Sequence, residues 1–159
     1  MATITAALNV SSDISSYGLT INNTMTMTKA GSTVGLERTS SLQRVHLTNK
    51  RHVDLLVRGS GTVADMTVTK AAKVYIKYLE ADTSKHVTIG LGDAKNNADL
   101  ASTANTSDSG TFFELGKLYG DEWMIIPWSG TSATGDITVH PSSATTADPA
   151  IVEYIVFFD

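Results

Sequence analysis

The chain of 159 residues contains no cysteine. It therefore has no disulfide framework and no thiolate ligands for a metal ion. No apolar run approaches the ~18 residues that a membrane-spanning helix needs. The N-terminal stretch MATITAALNV also lacks the charged region and the long apolar core of a signal peptide. We therefore expect no membrane partner, and synthesis in a cytoplasm by a soluble route.

Positive charge is also scarce. The chain has 12 Lys and Arg against 16 Asp and Glu, which gives a net charge of −4. Binding to nucleic acid without sequence preference needs many basic side chains to neutralise phosphates. The sequence therefore predicts no nucleic-acid partner.

What the chain has in abundance is serine and threonine, which together make up about a quarter of the residues. Charged residues reach only 18%, below the usual quarter, and threonine packs well on pleated sheets. Short segments of period two recur between Gly, Pro and Ser clusters, and no convincing amphipathic helix interrupts them. This pattern predicts one all-β domain over residues 1–159, an antiparallel β-sandwich of the Greek-key or jelly-roll type.

Two stretches have the pattern of β-hairpins. Residues 73–93, KVYIKYLEADTSKHVTIGLGD, contain two alternating runs joined by a polar turn. Residues 112–128, FFELGKLYGDEWMIIPW, contain two further runs joined by YGD. The second of these runs is apolar on both faces, so we expect it to be a central strand covered on both sides. Pro127 should lie near its end because proline cannot donate to a strand ladder.

The same stretch admits two functional interpretations. Trp128 or Tyr119 could form a stacking face for a carbohydrate beside Glu114 and Asp121. Glu114 and Glu122 could instead be a glycosidase pair, if their carboxylates lay ~5–5.5 or 6.5–9.5 Å apart. No other residues support a catalytic site, so we expect no enzyme activity and assign no catalytic residues.

Metal and cofactor sites also have weak candidates. His46 and His52 flank a turn and could share a metal ion. The run DAKNNAD, residues 93–99, is rich in oxygen ligands but does not match the spacing of a calcium-binding loop. Surface histidines and a solvated loop explain these residues better, and the sequence predicts no metal and no cofactor.

Charge is distributed unevenly along the chain. Residues 37–58 contain five basic and two acidic residues, whereas residues 80–122 contain three basic and eight acidic residues. Ordinary surface variation would explain this. Alternatively, the basic residues dock against an acidic neighbour, since opposed charges set register and partner choice. The candidate partner-docking residues are Arg44, Lys50, Arg51 and Arg58.

The order of these features resembles a family of small virion structural proteins of tailed phages, particularly those of marine and cyanobacterial hosts. The matching pieces are MTKAGSTVGLERTSSLQ, HVDLLVRG, KAAKVYIKYLEAD, ELGKLYGDEWMIIPW and the final VEYIVFFD. The resemblance covers nearly the whole chain and consists of strand and turn patterns. It implies a β-sandwich component of the phage head or tail without catalytic activity.

From the residues and this resemblance together, we expect a capsid decoration (cement) protein that is made in the host cytoplasm and resides in the virion. Its partners would be the major capsid protein or other virion proteins, and copies of itself, with a trimer expected by family analogy. Two alternatives remain open. One is a tail tube, collar or fibre-base component, and the other is a carbohydrate-binding module that recognises the host surface.

Overall fold

A computed structural model describes residues 4–12, 18–28, 36, 38–48, 52–56, 72–92, 112–128 and 136–158. These residues form eleven β-strands, and none of them lies in a helix. Every strand pairing is antiparallel. The predicted all-β, antiparallel fold class is confirmed.

The strands are short, as the period-two segments of the sequence predict. In chain order they are β1 (Thr5–Ser12), β2 (Leu19–Thr26), β3 (Arg38–Thr39), β4 (Gln43–Leu47), β5 (Val53–Leu56), β6 (Ala72–Leu79), β7 (His86–Gly92), β8 (Phe112–Tyr119), β9 (Trp123–Trp128), β10 (Ile137–Pro141) and β11 (Ala150–Phe158).

Nine of these strands form two stacked sheets. The front sheet has the order β3/β4–β11–β6–β9, and the back sheet has the order β5–β10–β7–β8. β3 and β4 pair with different parts of β11 and together form one interrupted edge strand. β1 and β2, among the described residues, pair only with each other and form a separate hairpin.

The pairing pattern identifies the sandwich as a jelly roll. β4 pairs with β11, β5 with β10, β6 with β9 and β7 with β8, so the chain folds back on itself as one long nested hairpin. Successive pairs lie alternately in the front and the back sheet. This is the arrangement that results when such a hairpin is rolled into two four-stranded sheets. The predicted sandwich of Greek-key or jelly-roll type is therefore confirmed.

β11 supplies the centre of the core. Its inner face consists of Ala150, Val152, Tyr154, Val156 and Phe158, which are all buried, whereas the residues between them are partly exposed. Alternate side chains of a strand point to one face. These five join one buried cluster with side chains from both sheets. Burial of each aliphatic side chain stabilises the fold by about 1.5–3 kcal/mol relative to leaving it exposed.

The two predicted hairpins are wrong, although their strands are present. β6 and β7 lie in different sheets, as do β8 and β9. Each connecting turn is therefore an arch that carries the chain across the sandwich. A polar turn between two amphipathic strands suits a hairpin within one sheet as well as an arch between two sheets. The pairing of β6 with β9 and of β7 with β8 shows that both turns are arches.

β9 is also not the central strand that its apolar sequence predicts. It is an edge strand of the front sheet, with β6 as its partner. Pro127 is the last but one residue of β9, close to the strand end as predicted. One face of β9 packs on the core through Met124 and Ile126, which are partly buried, and through Trp128.

The arch between β8 and β9 is tied to β6 by backbone hydrogen bonds. The Asp121 N–H donates to the Tyr78 carbonyl, and the Tyr78 N–H donates to the Glu122 carbonyl, each at 3.1 Å. Gly120 lies so close to the turn after β6 that a Cβ at this position would be 2.5 Å from the Glu80 carbonyl oxygen. The arch therefore requires glycine at residue 120.

We predict that Gly120→Ala destabilises the protein by about 1–3 kcal/mol, the usual cost of forcing atoms into a packed site. Gly116→Ala is the matched control in the preceding strand, because a Cβ there has no atom within 4 Å. That control should be neutral or slightly stabilising, because alanine loses less entropy than glycine on folding. Urea unfolding of both variants checks the prediction, and equal midpoints would contradict it.

Tyr78 generates a second prediction. Its side chain is fully buried, and its hydroxyl has no hydrogen-bond partner among the described residues. An unsatisfied buried polar group costs about 1–3 kcal/mol. We therefore expect Tyr78→Phe to keep or raise the free energy of unfolding at neutral pH, whereas Tyr78→Ala should lose about 3–5 kcal/mol through the cavity it leaves.

The same residue should also affect alkaline stability. Burial raises the pKa of the Tyr78 phenol above its ordinary value. Above about pH 10 the unfolded chain loses the phenol proton while the native chain keeps it, so the free energy of unfolding falls as the pH rises. Thermal unfolding between pH 8 and about pH 11 should therefore show a smaller decline for Tyr78→Phe than for the wild type. An equal decline would mean that this phenol does not contribute.

Candidate assembly surfaces

A charged row crosses the outer face of the front sheet. In the strand register Arg44 of β4 lies opposite Glu153 of β11, which lies opposite Lys77 of β6. The Arg44 Nε and Nη2 atoms are each 3.0 Å from Glu153 Oε2. Lys77 Nζ is 3.3 Å from Asp121 Oδ1. Arg44, a predicted docking residue, therefore already has an ion-pair partner within its own chain.

The other predicted docking residues, Lys50, Arg51 and Arg58, lie outside the described residues. The loop of residues 93–99, which was considered for ion binding, lies outside them as well. The predicted docking role of these three basic residues therefore stays a prediction, and so does the interpretation of the loop.

The topology nevertheless separates the two charged segments of the chain. β3, β4 and β5 come from the basic segment, and they form the edges of the two sheets on one side of the sandwich. β8 and the arch to β9 come from the acidic segment, and β8 and β9 form the edges on the opposite side. Among the described residues, the flank of β3–β5 (the basic flank) carries two basic residues and one acidic residue, and the flank of β8 and β9 with their arch (the acidic flank) carries three acidic residues and one basic residue.

Next to the charged row lies an apolar row. Ile155 of β11, Tyr75 of β6 and Ile125 of β9 are neighbours in the register of the front sheet. The ring of Trp123 lies beside them, with its centroid 6.1 Å from that of Tyr75. Trp123 remains 49% exposed. The outer face of the front sheet is therefore partly apolar, which is unusual for a solvated sheet face.

The β1–β2 hairpin lies over this apolar row and leaves a groove between itself and the front sheet. The groove encloses about 410 Å³ and adjoins a second depression of about 360 Å³. Trp123, Ile125 and Ala6 line both spaces. Glu153 is the only charged residue among the described lining residues. Such a lining suits apolar contacts and offers no converging acid and base.

The position of Tyr75 beside the groove affects the pKa of its phenol. Partial burial raises its pKa, the nearby Glu153 carboxylate raises it further, and Lys77 acts in the opposite direction. The phenol therefore stays neutral at physiological pH and serves as an apolar wall with a polar tip.

Backbone hydrogen bonds continue the pairing beyond the base of the hairpin. The Met27 N–H donates to the Ile4 carbonyl at 2.9 Å, and the Leu36 N–H donates to the Met27 carbonyl at 3.0 Å. The side chains of Met27 and Leu36 are fully buried. The hairpin itself differs, because Leu8, Val10, Ile21 and Met25 are all exposed.

A second exposed apolar group lies on the acidic flank. Phe113, Leu115 and Tyr119 of β8 are exposed, and the Tyr119 ring lies 5.2 Å from that of His86. β8 is an edge strand that pairs, among the described residues, only with β7. Edge strands with exposed apolar side chains are prone to associate with other chains.

The carbohydrate interpretation named the wrong tryptophan. Trp128 is 7% exposed and belongs to the core cluster, so it cannot form a stacking face. Trp123 is the exposed tryptophan. The two residues are five positions apart on one strand and therefore point to opposite faces, but only the topology shows which face is the core. Tyr119 is exposed as that interpretation requires, whereas Asp121 is paired with Lys77.

The proposed glycosidase pair is not brought together. Glu122 Oε2 accepts a hydrogen bond from the Tyr119 N–H at 2.8 Å and closes the turn. Glu114 lies five strand residues before Tyr119, roughly 16 Å along the strand at about 3.3 Å per residue. This separation exceeds the ~9.5 Å limit for such pairs.

The shared metal site of His46 and His52 is also not formed. His46 lies on β4 in the front sheet, whereas the His52 ring stacks on that of His140 with centroids 4.4 Å apart. In the described part of the chain, no group of three or more His, Asp or Glu residues could hold a metal ion. No local sequence pattern predicts the His52–His140 contact, because it depends on the pairing of β5 with β10.

Comparison of the chain with protein-family models, curated proteins and solved structures found no match. Among the described residues, no helix has the length and apolar character needed to cross a membrane.

Proposed function

We propose that the protein is a non-enzymatic structural component of a tailed-phage virion, a capsid decoration protein that binds and stabilises the outer shell. The observation that carries this proposal is the concentration of exposed large apolar side chains on the β1–β2 hairpin and on the acidic flank. Large exposed apolar patches on a folded protein mark surfaces for association. The resemblance of the strand and turn pattern to phage virion proteins points to the same role.

The packing of the interior and the lining of the surface grooves favour an assembly role over a small-molecule site. Valine, isoleucine and leucine side chains from both sheets fill the space between them. The two grooves described above lie between the hairpin and the front sheet, and their described lining is mostly apolar. Small-molecule sites usually combine an apolar cavity with several converging polar groups, and the described lining of these grooves provides only Glu153.

The basic segment (residues 37–58) and the acidic segment (residues 80–122) supply a means of choosing partners. Their opposite signs would allow the basic segment of one copy to meet the acidic segment of a neighbour. Opposed charges of this kind mainly steer encounter and fix register, whereas apolar contacts supply most of the affinity. A decoration protein that repeats across a lattice needs both properties.

The proposal predicts a high and fixed copy number. In purified particles, quantitative mass spectrometry should find the chain at a constant ratio to the major capsid protein. Particles that lack it should release their genome at a lower temperature and regain stability when the purified protein is added. A handful of copies, confined to the tail or the collar, would contradict the decoration role and favour the alternative of a tail tube, collar or fibre-base component.

Variants of the basic segment sharpen this experiment. Lys50→Glu combined with Arg51→Glu should reduce rebinding to depleted particles, because it reverses charge where docking is expected. Lys117→Glu, a single charge reversal on the acidic flank, is the control and should bind as the wild type does. Equal occupancy of all three proteins would count against docking through Lys50 and Arg51.

A carbohydrate-binding module is the second candidate, and the position of Trp123 favours it. This half-exposed ring lies beside Tyr75 and borders a groove that also contains Glu153. Sugars stack on exposed aromatic rings near acidic groups, so the groove could hold a host-surface glycan.

We predict that, if this second role is correct, a glycan array probed with the wild-type protein gives specific signals that Trp123→Ala abolishes. Phe113→Ala removes an exposed aromatic ring elsewhere and serves as the control. The absence of signal for the wild type, or equal signals for wild type and Trp123→Ala, would exclude a glycan site at this groove.

A further inference from the structure

β8 is the longest edge strand of the two stacked sheets. It has eight residues, whereas β5 has four, β9 has six with Pro127 near its end, and β3 and β4 form an interrupted edge. Short strands and proline are common means by which proteins protect the edges of their sheets from other chains. β8 has neither of these features, so its outer side is the edge most suited to pairing with a further strand.

A register shift places two opposite charges of β8 on one face. Lys117 lies opposite Thr88 of the neighbouring strand β7. The register then shifts by one residue, and Glu114 lies opposite Gly90. Thr88 and Gly90 are two positions apart on β7, so they share a face, and their directly opposed partners share it too. Without the shift, Glu114 and Lys117 would point to opposite faces, because they are three positions apart.

Both charges are exposed and unmatched within the chain. Glu114 and Lys117 are exposed, and neither has an ion-pair partner among the described residues. The other two acids of the acidic flank differ. Asp121 is paired with Lys77, and Glu122 accepts a backbone hydrogen bond within its own turn. In the described part of the acidic flank, the unmatched charges are therefore one anion and one cation on the same face.

This pattern is self-complementary for two antiparallel copies of β8. When Glu114 of one copy lies opposite Lys117 of a second copy, two-fold symmetry also places Lys117 of the first opposite Glu114 of the second. Opposite charges that are directly opposed across an antiparallel pair stabilise it. Because the register shift puts both charges on one face, the core-facing sides of the two copies coincide in this register. The two back sheets then join into one continuous sheet of eight strands.

The same register covers an exposed aromatic side chain. Phe113 lies opposite Leu91, which packs against the core, so Phe113 belongs to the core-facing side of β8. It is nevertheless 59% exposed, and no described strand lies beyond it at this edge. In the paired copies, Phe113 lies opposite Leu118 of the second copy, a residue of the core cluster. Each sandwich would thereby extend the core of the other.

The charge pattern also favours a second copy over an unrelated strand. A lysine on an edge strand normally discourages pairing, since a foreign strand leaves its charge without a counterion. Only a strand with an acid at the matching position removes this penalty. A second copy of β8 supplies that acid as Glu114, and by symmetry it does so at both positions.

We infer that β8 is a self-association edge, at which two copies of the chain pair antiparallel in the register that sets Glu114 against Lys117. The eight opposed residue pairs would exchange about eight backbone hydrogen bonds. The inference goes beyond the proposed virion role, because it concerns a contact between two copies of this chain and applies to the free protein.

The test uses the full chain in solution. Analytical ultracentrifugation of the wild type should show a reversible dimer with twice the 16.9 kDa mass of one chain. Glu114→Lys sets lysine against lysine at both symmetry-related positions, and Lys117→Glu sets glutamate against glutamate. Each single reversal should weaken dimerisation by about 10-fold or more. Both sites are exposed, so the fold itself should tolerate these changes.

The matched control is the chain that carries both reversals. It has opposite charges at both positions again, so its dimerisation should return to near the wild-type level. A mixture of the two single variants should likewise form a heterodimer in preference to either homodimer, because lysines of one chain then meet glutamates of the other. Loss of charge balance or of stability in one variant would not produce this rescue.

A chemical crosslink locates the contact. A carbodiimide joins a carboxylate to an amine that it touches, so a mixture of light and isotopically heavy chains should give a crosslink between Glu114 of one chain and Lys117 of the other. Four outcomes would overturn the inference: a monomeric wild type, single reversals that dimerise as the wild type does, a doubly reversed chain as weak as the single variants, or intermolecular crosslinks confined to other residues.

These outcomes are separate from those that test the virion role. Lys117→Glu should lose the solution dimer and still occupy depleted particles, because particle docking is expected through Lys50 and Arg51. A wild-type dimer that fails to bind particles would retain the self-association edge and contradict the decoration role. A monomeric wild type that saturates particles would retain that role and overturn the edge contact.

Discussion

The whole molecule depends on the burial of β11 between two neighbouring strands and the opposite sheet. β11 pairs with β6 on one side and with β3 and β4 on the other, while its inner side chains join the core. Removing it would leave two front-sheet edges without their main partner and expose the inner face of the back sheet. The arches, the two charged flanks and the apolar row on the outer face are all positioned relative to this one strand.

Much of this architecture could be predicted from the sequence, because period two, threonine content and turn residues are local signals. The pairing of the strands could not be predicted. The local sequence of β6 and β7 is that of a hairpin, but in the structure β6 pairs with β9 and β7 pairs with β8. The same limit applies to the surfaces. The alternation along β9 places Trp123 and Trp128 on opposite faces, but it does not show that only Trp128 is buried. Arg44 was predicted to dock against a partner, because nothing in the local sequence shows its ion pair with the distant Glu153.

The surfaces combine two kinds of interaction in different places. The basic and acidic flanks carry small net charges of opposite sign, whereas the described residues of the hairpin and the apolar row of the front sheet carry no charge. Flanks of opposite sign can align neighbours in a lattice, and exposed apolar side chains can hold them once they are aligned. This division suits a protein whose proposed role is to reinforce a shell built from many identical units, where register and adhesion must both be satisfied at every position.

The nested pairing has a consequence for how the chain is made. The front sheet closes only when β11 pairs with β4, and more than one hundred residues separate the two strands. During synthesis the earlier strands must therefore leave the ribosome without their central partner. Folding dominated by such distant pairings is slow and exposes aggregation-prone edges. The apolar strands β6, β7 and β9 therefore emerge before the strand that gives the front sheet its centre.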